Sequence, residues 1–120
     1  MCVARELKKA GVAKDNVRLI CATGLHRKFR LWELERVLGR KVVEYFGERI
    51  VCHDAEDRNN LVYLGQTESG YDVEVHRAVV DSDLLIYVNT VATAFNGGWK
   101  SICVGLASWR SYGGTTRPRQ

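Results

Sequence analysis

Apolar residues recur at helical spacing in three segments of the chain. Val3–Ala10 carries apolar or small residues three or four positions apart, and Gly11 follows it as a plausible helix end. Leu31–Phe46 has the longest pattern, with Gly39 either inside one helix or between two. Lys100–Ala107 predicts a further helix. The apolar stripe of the long segment consists of Leu31, Leu34, Val37, Leu38, Val42 and Tyr45.

Short apolar and β-branched runs predict strands between these helices. Val17–Cys21 is typical of a buried strand, and Arg49–Cys52 is a second short strand-like run. Leu61–Leu64 and Tyr71–His76 are separated by turn residues and predict a hairpin arm. Val79–Val88 passes through a polar interruption into what the pattern predicts as the final core strand, Leu84–Val88.

The order of these elements favours the α/β class. Helices that alternate with strands are typical of a mostly parallel sheet flanked by helices, here with a short hairpin arm added. A chain of 120 residues with 46% hydrophobic content is long enough to bury one core. We therefore expect a single α/β domain over residues 1–120.

Composition narrows the classes of function. No run reaches the roughly 18 apolar residues of a spanning helix, and the N-terminus is charged within its first turns, so we expect a cytoplasmic protein with no membrane partner. Cys2, Cys21, Cys52 and Cys103 form no C-x-x-C pair, and the last three lie in apolar runs, which predicts reduced, buried thiols. The sequence leaves open whether an uncovered apolar face would pair the chain with itself as a homodimer.

The net charge of +4 is concentrated at one end of the chain. Residues 1–83 carry 14 basic and 14 acidic side chains, whereas residues 84–120 carry Lys100, Arg110, Arg117 and Arg119 and no acid. A basic, glycine-containing segment suits a small anionic ligand such as a phosphate or a carboxylate. Nucleic acid is disfavoured, because the chain has no dense basic cluster interleaved with aromatic residues. Arg117 and Arg119 are equally explained as a solubilising tail.

Two loops carry the candidate chemistry. The first follows the strand Val17–Cys21, where Thr23 and Gly24 break the strand and deliver His26 to the loop beyond its carboxyl end, the usual place for a ligand in an open α/β sheet. In the second loop, Gly97 and Gly98 allow close backbone approach to a ligand just before Lys100. The spacing does not match a phosphate-binding Walker motif, since the two glycines are adjacent and Trp99 precedes the lysine. Each loop could equally be an ordinary turn.

His53 and His76 complete the histidine inventory. With His26 they would form a three-histidine metal site only if folding brought them together across long spacings. His53 directly follows a strand, so it would either line the same strand-end crevice as His26 or cap a turn with Asp54. The second interpretation is the simpler one.

Four blocks, in this order and spacing, resemble the N-terminal domain of the nickel-pincer nucleotide lactate racemase family. The blocks are Val17–Arg27 (VRLICATGLHR), Val51–Asp54 (VCHD), Val75–Ile86 (VHRAVVDSDLLI) and Gly97–Ile102 (GGWKSI). The resemblance runs from about Val3 to about Gly114. It implies racemisation or epimerisation of a 2-hydroxy acid, with His26 as the acid/base and Lys100 as the covalent tether of the nickel-pincer cofactor. Thr23, Gly24, Gly97 and Gly98 would then line the cofactor site.

The chain departs from the family pattern at the metal. The family's second catalytic histidine would fall near Thr90 and its nickel-ligating histidine near Thr116, yet no histidine follows His76. A threonine hydroxyl is a poor nickel ligand, so no metal ligand is predicted. The family's second domain is also missing from this sequence. Two hypotheses follow: a truncated or divergent racemase domain, or a non-catalytic α/β module that binds a phosphate- or carboxylate-bearing ligand.

Overall fold

The computed structural model describes residues 2–89 and 99–115. Within these ranges the chain forms two compact units, the first from residues 2–21 and 28–52, the second from 22–27, 53–89 and 99–115. The mixture of helices and strands confirms the α/β composition. The description of residues 1–120 as a single domain stays a prediction. Across the described ranges, no helix is both long enough and apolar enough to cross a membrane.

The first unit is a parallel strand pair with three helices. Its elements are α1 (Cys2–Lys9), β1 (Leu19–Cys21), α2 (Leu31–Leu38), α3 (Arg40–Phe46) and β2 (Ile50–Cys52). β1 and β2 pair in parallel, as a strand connected to the next through helices is expected to do. Both predicted strands, and the predicted helix at the N-terminus, are confirmed.

Gly39 divides the long helical segment into two helices. Its backbone, at φ 86 and ψ 141, is not helical, so α2 ends at Leu38 and α3 begins at Arg40. The break splits the apolar stripe between two short helices. Leu31 and Val37 of this stripe are each 65% exposed. Phe46, at the end of α3, is buried instead.

The cysteines are free, as predicted, but they are less buried than predicted. Cys21 and Cys52 are partly buried and face each other across the parallel pair, while Cys2 and Cys103 are exposed. Burial and the neighbouring Cys52 thiol raise the pKa of Cys21 to about 12, so this thiol stays protonated at neutral pH. Cys103 lies in a helix, as predicted, but on its exposed side.

The second unit is a hairpin covered by short helices. Its elements are β3 (Leu61–Gln66), β4 (Asp72–His76), α4 (Arg77–Asp81), α5 (Trp99–Gly105) and α6 (Trp109–Thr115). β3 and β4 are antiparallel with a bulge between Tyr63 and Gly65, which confirms the hairpin arm. The described strands therefore form one parallel and one antiparallel pair, and the prediction of a mostly parallel sheet holds for the first unit alone. The buried apolar residues of this unit are Ala55, Leu61, Val75, Ala78, Leu106 and Ala107.

The predicted final strand is the clearest error in the sequence-based assignment. Val79–Asp81 belongs to α4, because the His76 side chain accepts a hydrogen bond from the Ala78 amide at 3.1 Å and so caps a helix. Leu84–Val88 has no strand pairing among the described residues, and Leu84 is 71% exposed. An apolar run becomes a core strand only where a neighbouring strand accepts its hydrogen bonds.

Candidate functional site

A cavity of about 330 Å³ in the second unit contains His26. Its walls come from the loop Ala22–Arg27, from the segment before residue 90 and from α5 and α6. The volume lies at the lower end of the range typical of small-molecule sites. The lining residues are Ala22, Thr23, Gly24, His26, Tyr87, Asn89, Ser101, Val104, Gly105 and Tyr112.

The His26 loop is held by its own turn and by the residue after β2. The His26 amide donates to the Thr23 carbonyl at 3.0 Å, which closes the turn and leaves the imidazole exposed at the cavity. Thr23 is buried, and its hydroxyl donates to the His53 carbonyl oxygen at 2.8 Å. The loop backbone is therefore fixed while the imidazole remains free to meet a ligand.

Gly24 and Gly105 bring the loop and the end of α5 into direct backbone contact. The Gly24 amide donates to the Gly105 carbonyl at 3.0 Å. With φ at 59°, Gly24 lies in the left-handed region, and a Cβ there would approach the Val104 carbonyl oxygen to 2.7 Å. A Cβ on Gly105 would lie 2.7 Å from that of Ala22. Both glycines are thus required for the close packing that forms this wall of the cavity.

His53 lies behind the loop and is completely buried, with 0% of its surface exposed. Its Nε2 lies 2.8 Å from the Ala107 carbonyl oxygen and must donate to it, so the lone pair resides on Nδ1. Nδ1 has no hydrogen-bond partner among the described residues. Neither sequence interpretation of His53 is correct, because it does not line the cavity and Asp54 itself closes the turn by accepting from the Glu56 amide at 3.0 Å.

Acid is expected to destabilise the fold through His53. Burial lowers the pKa of its imidazole below the ordinary 6.5, opposed by its bond to Ala107 and by Asp54. The unfolded chain therefore takes up the proton first as the pH falls, and the stabilisation present above about pH 6.5 is progressively lost below it. Urea unfolding should give a lower free energy of unfolding at about pH 5.5 than at about pH 7.5. In His53→Gln the difference between the two pH values should be smaller. An equal pH dependence in both proteins would contradict the assignment.

The histidines do not form a metal site. His53 and His76 are neighbours, with ring centroids 5.7 Å apart. One ring nitrogen of each is bonded to backbone: His53 Nε2 donates to the Ala107 carbonyl, and His76 Nδ1 accepts from the Ala78 amide. Within residues 2–89 and 99–115, no three histidine, cysteine or carboxylate side chains converge as a metal-binding group. The chemistry of the cavity is therefore that of one imidazole among hydroxyl and amide groups.

The second predicted loop falls only partly within the described residues. Gly97 and Gly98 lie outside the described residues, and Lys100 lies in the first turn of α5. The next residue, Ser101, is buried and lines the cavity. Ser101 was missed by the sequence analysis, although its place beside Lys100 at a helix start is a usable signal. Tyr87, Asn89 and Tyr112 were missed as well, because Tyr87 and Asn89 adjoin a predicted core strand and Tyr112 lies in a helix that the pattern did not predict.

The basic charge near the C-terminus is distributed differently from the prediction. Arg110 pairs with Asp72 of the hairpin, Nε to Oδ2 at 2.7 Å, and its guanidinium lies over the Tyr63 ring at 4.4 Å. This ion pair lowers the pKa of Asp72, so the carboxylate stays charged and neutralises Arg110. Arg117 and Arg119 lie outside the described residues. Arg110 is therefore paired within the second unit and adds no free positive charge there.

Comparisons with known proteins agree with the resemblance seen in the sequence. The chain matches the family described as lactate racemase N-terminal domain over residues 1–113. It is similar to the lactate racemase of Thermoanaerobacterium thermosaccharolyticum, with 35% identity over 78% of this chain, and to that of Lactiplantibacillus plantarum, with 34% identity over 83%. It spans 22% and 24% of the lengths of these two relatives.

A solved structure gives the same result for the fold. The lactate racemase apoprotein from Thermoanaerobacterium thermosaccharolyticum superposes with a TM-score of 0.68 at 35% identity, covering 85% of this chain and 24% of that one. Sequence and fold thus agree over most of the chain. The chain therefore belongs to the lactate racemase N-terminal domain family.

Proposed function

We propose that this chain forms the His26-bearing side of a site that racemises or epimerises a small 2-hydroxy acid. One observation carries the proposal: His26 and Ser101, the residue next to Lys100, line the same cavity in a member of this family. The relatives that share this region are lactate racemases, which supports a 2-hydroxy acid as the substrate class. The cavity's hydroxyl and amide groups suit a carboxylate and a hydroxyl on one small molecule.

His26 supplies the acid/base function in this proposal. Inversion at the carbon that bears the hydroxyl breaks its C–H bond and re-forms it on the opposite face. An imidazole that takes up a substrate proton and later returns it supplies the acid/base part of this exchange near neutral pH. The ring is exposed at the cavity while its backbone is held by the Thr23 turn, so a bound substrate can be reached without movement of the loop. Thr23 and Gly24 support this loop, and their assignment to a cofactor site stays a prediction.

The resemblance implies a nickel-pincer cofactor. The chain has a residue suited to its covalent tether, but the described residues offer no ligands suited to its metal. Lys100 lies at the start of α5, beside a cavity residue, which is compatible with a covalent tether. The donor set of the described residues does not fit metal ligation, since these residues converge on no metal-binding group. We therefore derive no step through nickel, and the acid/base step is the part of the chemistry that this chain carries.

Lys100 is expected to gain covalent mass when the protein is produced with nickel and the enzymes that make the cofactor. Intact-mass spectrometry with peptide mapping, together with metal analysis, measures both the adduct and bound nickel. Lys100→Arg keeps the charge but cannot be acylated in the same way, so it should stay unmodified. Chiral chromatography of D- and L-2-hydroxy acids incubated with the modified protein then tests racemisation. An unmodified wild-type mass without turnover would contradict the proposal.

The cavity itself favours a second candidate, because its described lining offers hydroxyl and amide groups and the described residues converge on no metal-binding group. In that case the domain is a non-catalytic module that holds a phosphate- or carboxylate-bearing ligand in the same cavity. Calorimetric titration with phosphate and with lactate separates the two candidates. Saturable binding supports the non-catalytic module if the protein also shows no turnover and no adduct on Lys100. Self-association as a homodimer is a further proposal, motivated by exposed apolar residues such as Leu84 and Val88.

A further inference from the structure

His53 connects three separate segments of the second unit. Its carbonyl oxygen accepts from the Thr23 hydroxyl at 2.8 Å, and its Nε2 donates to the Ala107 carbonyl at 2.8 Å. The Gly24 amide completes a cycle by donating to the Gly105 carbonyl at 3.0 Å. The loop that carries His26 is thereby joined to the segment that follows α5 through one buried residue, by its backbone carbonyl on one side and its imidazole on the other.

The ring nitrogens of His53 show which bond the buried imidazole provides. Nε2 donates one hydrogen bond, to Ala107, whereas the buried Nδ1 has no partner among the described residues. Within this part of the chain, the imidazole thus provides one bond and leaves one buried lone pair without a partner, which carries an energetic penalty. An apolar side chain would fill the same space without that penalty. The donation to Ala107 is thus the contribution of this side chain that an apolar residue could not replace.

We infer that His53 is a positioning residue for His26. It fixes the distance between the Thr23–His26 turn and the end of α5, the two walls that meet at the cavity. The expected effect on kcat rests on the proposed function. His53 itself does not line the cavity, so it would act on the rate only through the position of His26. Loss of the Nε2 donor leaves the Ala107 carbonyl buried and unpaired, and the shift that relieves it moves the loop. Displacement of a catalytic group by about 1 Å can lower a rate by about 100-fold.

Two amide substitutions separate positioning from simple packing. His53→Gln places an amide N–H close to the position of Nε2, whereas His53→Asn carries the same group one methylene short of it. We expect His53→Asn to lower kcat for 2-hydroxy acid racemisation by about 100-fold with little change in KM, and His53→Gln to restore most of it. His76→Gln is the comparison variant, because His76 is a second buried histidine of this unit and its Nδ1 accepts a hydrogen bond from the Ala78 amide.

A second readout does not depend on activity. Hydrogen exchange of the Gly24 amide, followed by NMR, reports the bond to Gly105, and the imidazole ¹⁵N resonances of His26 report its surroundings. His53→Asn should speed exchange at Gly24 relative to hairpin amides such as Val75 and should move the His26 resonances, whereas His53→Gln should do neither. If His53→Asn does not fold, Thr23→Val breaks the other bond of the cycle and should give the same signature, with Thr23→Ser as its control.

The outcomes distinguish this inference from the proposed function. The inference is overturned if His53→Gln has a kcat no higher than that of His53→Asn. It is also overturned if hydrogen exchange at the Gly24 amide rises only as much as at the hairpin amides, since His53 would then contribute packing alone. A wild-type protein that interconverts no 2-hydroxy acid would end the proposed function. In that event the Gly24 and His26 readouts alone decide whether His53 positions the loop.

Discussion

Under the proposed function, replacing His26 by alanine is expected to lower the racemisation rate by about 10³-fold, the middle of the range for general acid/base catalysis. The side chain is exposed at the cavity, and its backbone amide, which closes the turn with Thr23, remains in the variant. The free energy of unfolding should therefore change by less than about 0.5 kcal/mol. Chiral chromatography of each enantiomer as starting material measures the rate, and urea unfolding measures the stability.

His26→Gln is the control for polarity, because glutamine forms hydrogen bonds but exchanges no proton at neutral pH. It should be as slow as the alanine variant. Free imidazole added to His26→Ala should restore part of the rate, since the vacated space opens onto the cavity. Activity within a few-fold of wild type in both variants would remove His26 from the reaction and favour the anion-binding module.

The elements that the sequence predicted well are those with a local cause. β1, the hairpin and α1 follow from periodicity and turn residues, and Gly39 marked the one place where the long helical segment could break. The loop that presents His26 followed from a strand that ends in Ala22-Thr23-Gly24. In each case the signal and the structure lie within a few residues of each other.

The elements that were predicted poorly depend on distant partners. α6 contains two glycines and has weak helical propensity, but Ser111 fixes it to β4: its hydroxyl lies 2.6 Å from the Glu74 amide and 3.0 Å from the Glu74 carbonyl. Leu84–Val88 has the residues of a core strand and no described strand to pair with. Propensity describes a segment, whereas pairing and capping depend on residues elsewhere in the chain.

The same distinction applies to the site. His26 was identified because a histidine after a strand-ending glycine is a local pattern. The role of His53 could not be found in that way, because it depends on Ala107, 54 positions away along the chain. Ser101 and Tyr112 reach the cavity only through the packing of α5 and α6. Sequence reasoning thus found the residue that would act on a substrate and missed those that form the walls around it.

Gly24→Ala is expected to destabilise the protein by about 3 kcal/mol and to disturb the cavity. The left-handed backbone alone costs a non-glycine residue roughly 1–2 kcal/mol. The new Cβ would also meet the Val104 carbonyl oxygen at 2.7 Å, and this backbone atom cannot turn aside as a flexible side chain could. Relief of that contact must separate the loop from α5 and so weaken the Gly24–Gly105 hydrogen bond, which displaces His26 relative to the cavity wall that contains Ser101.

Gly70→Ala separates the backbone strain from the steric contact. Gly70 also has a left-handed backbone, but a Cβ there meets no neighbouring atom. Gly70 lies in the hairpin turn of the same unit with φ at 80°, and a Cβ there would meet nothing within 4 Å. Its cost should therefore be the backbone strain of roughly 1–2 kcal/mol alone, with ligand binding and turnover unchanged. Urea unfolding of both variants measures the difference. Equal losses would mean that the loop and α5 can separate freely, in which case neither Gly24 nor the hydrogen bonds around it would hold His26 in place.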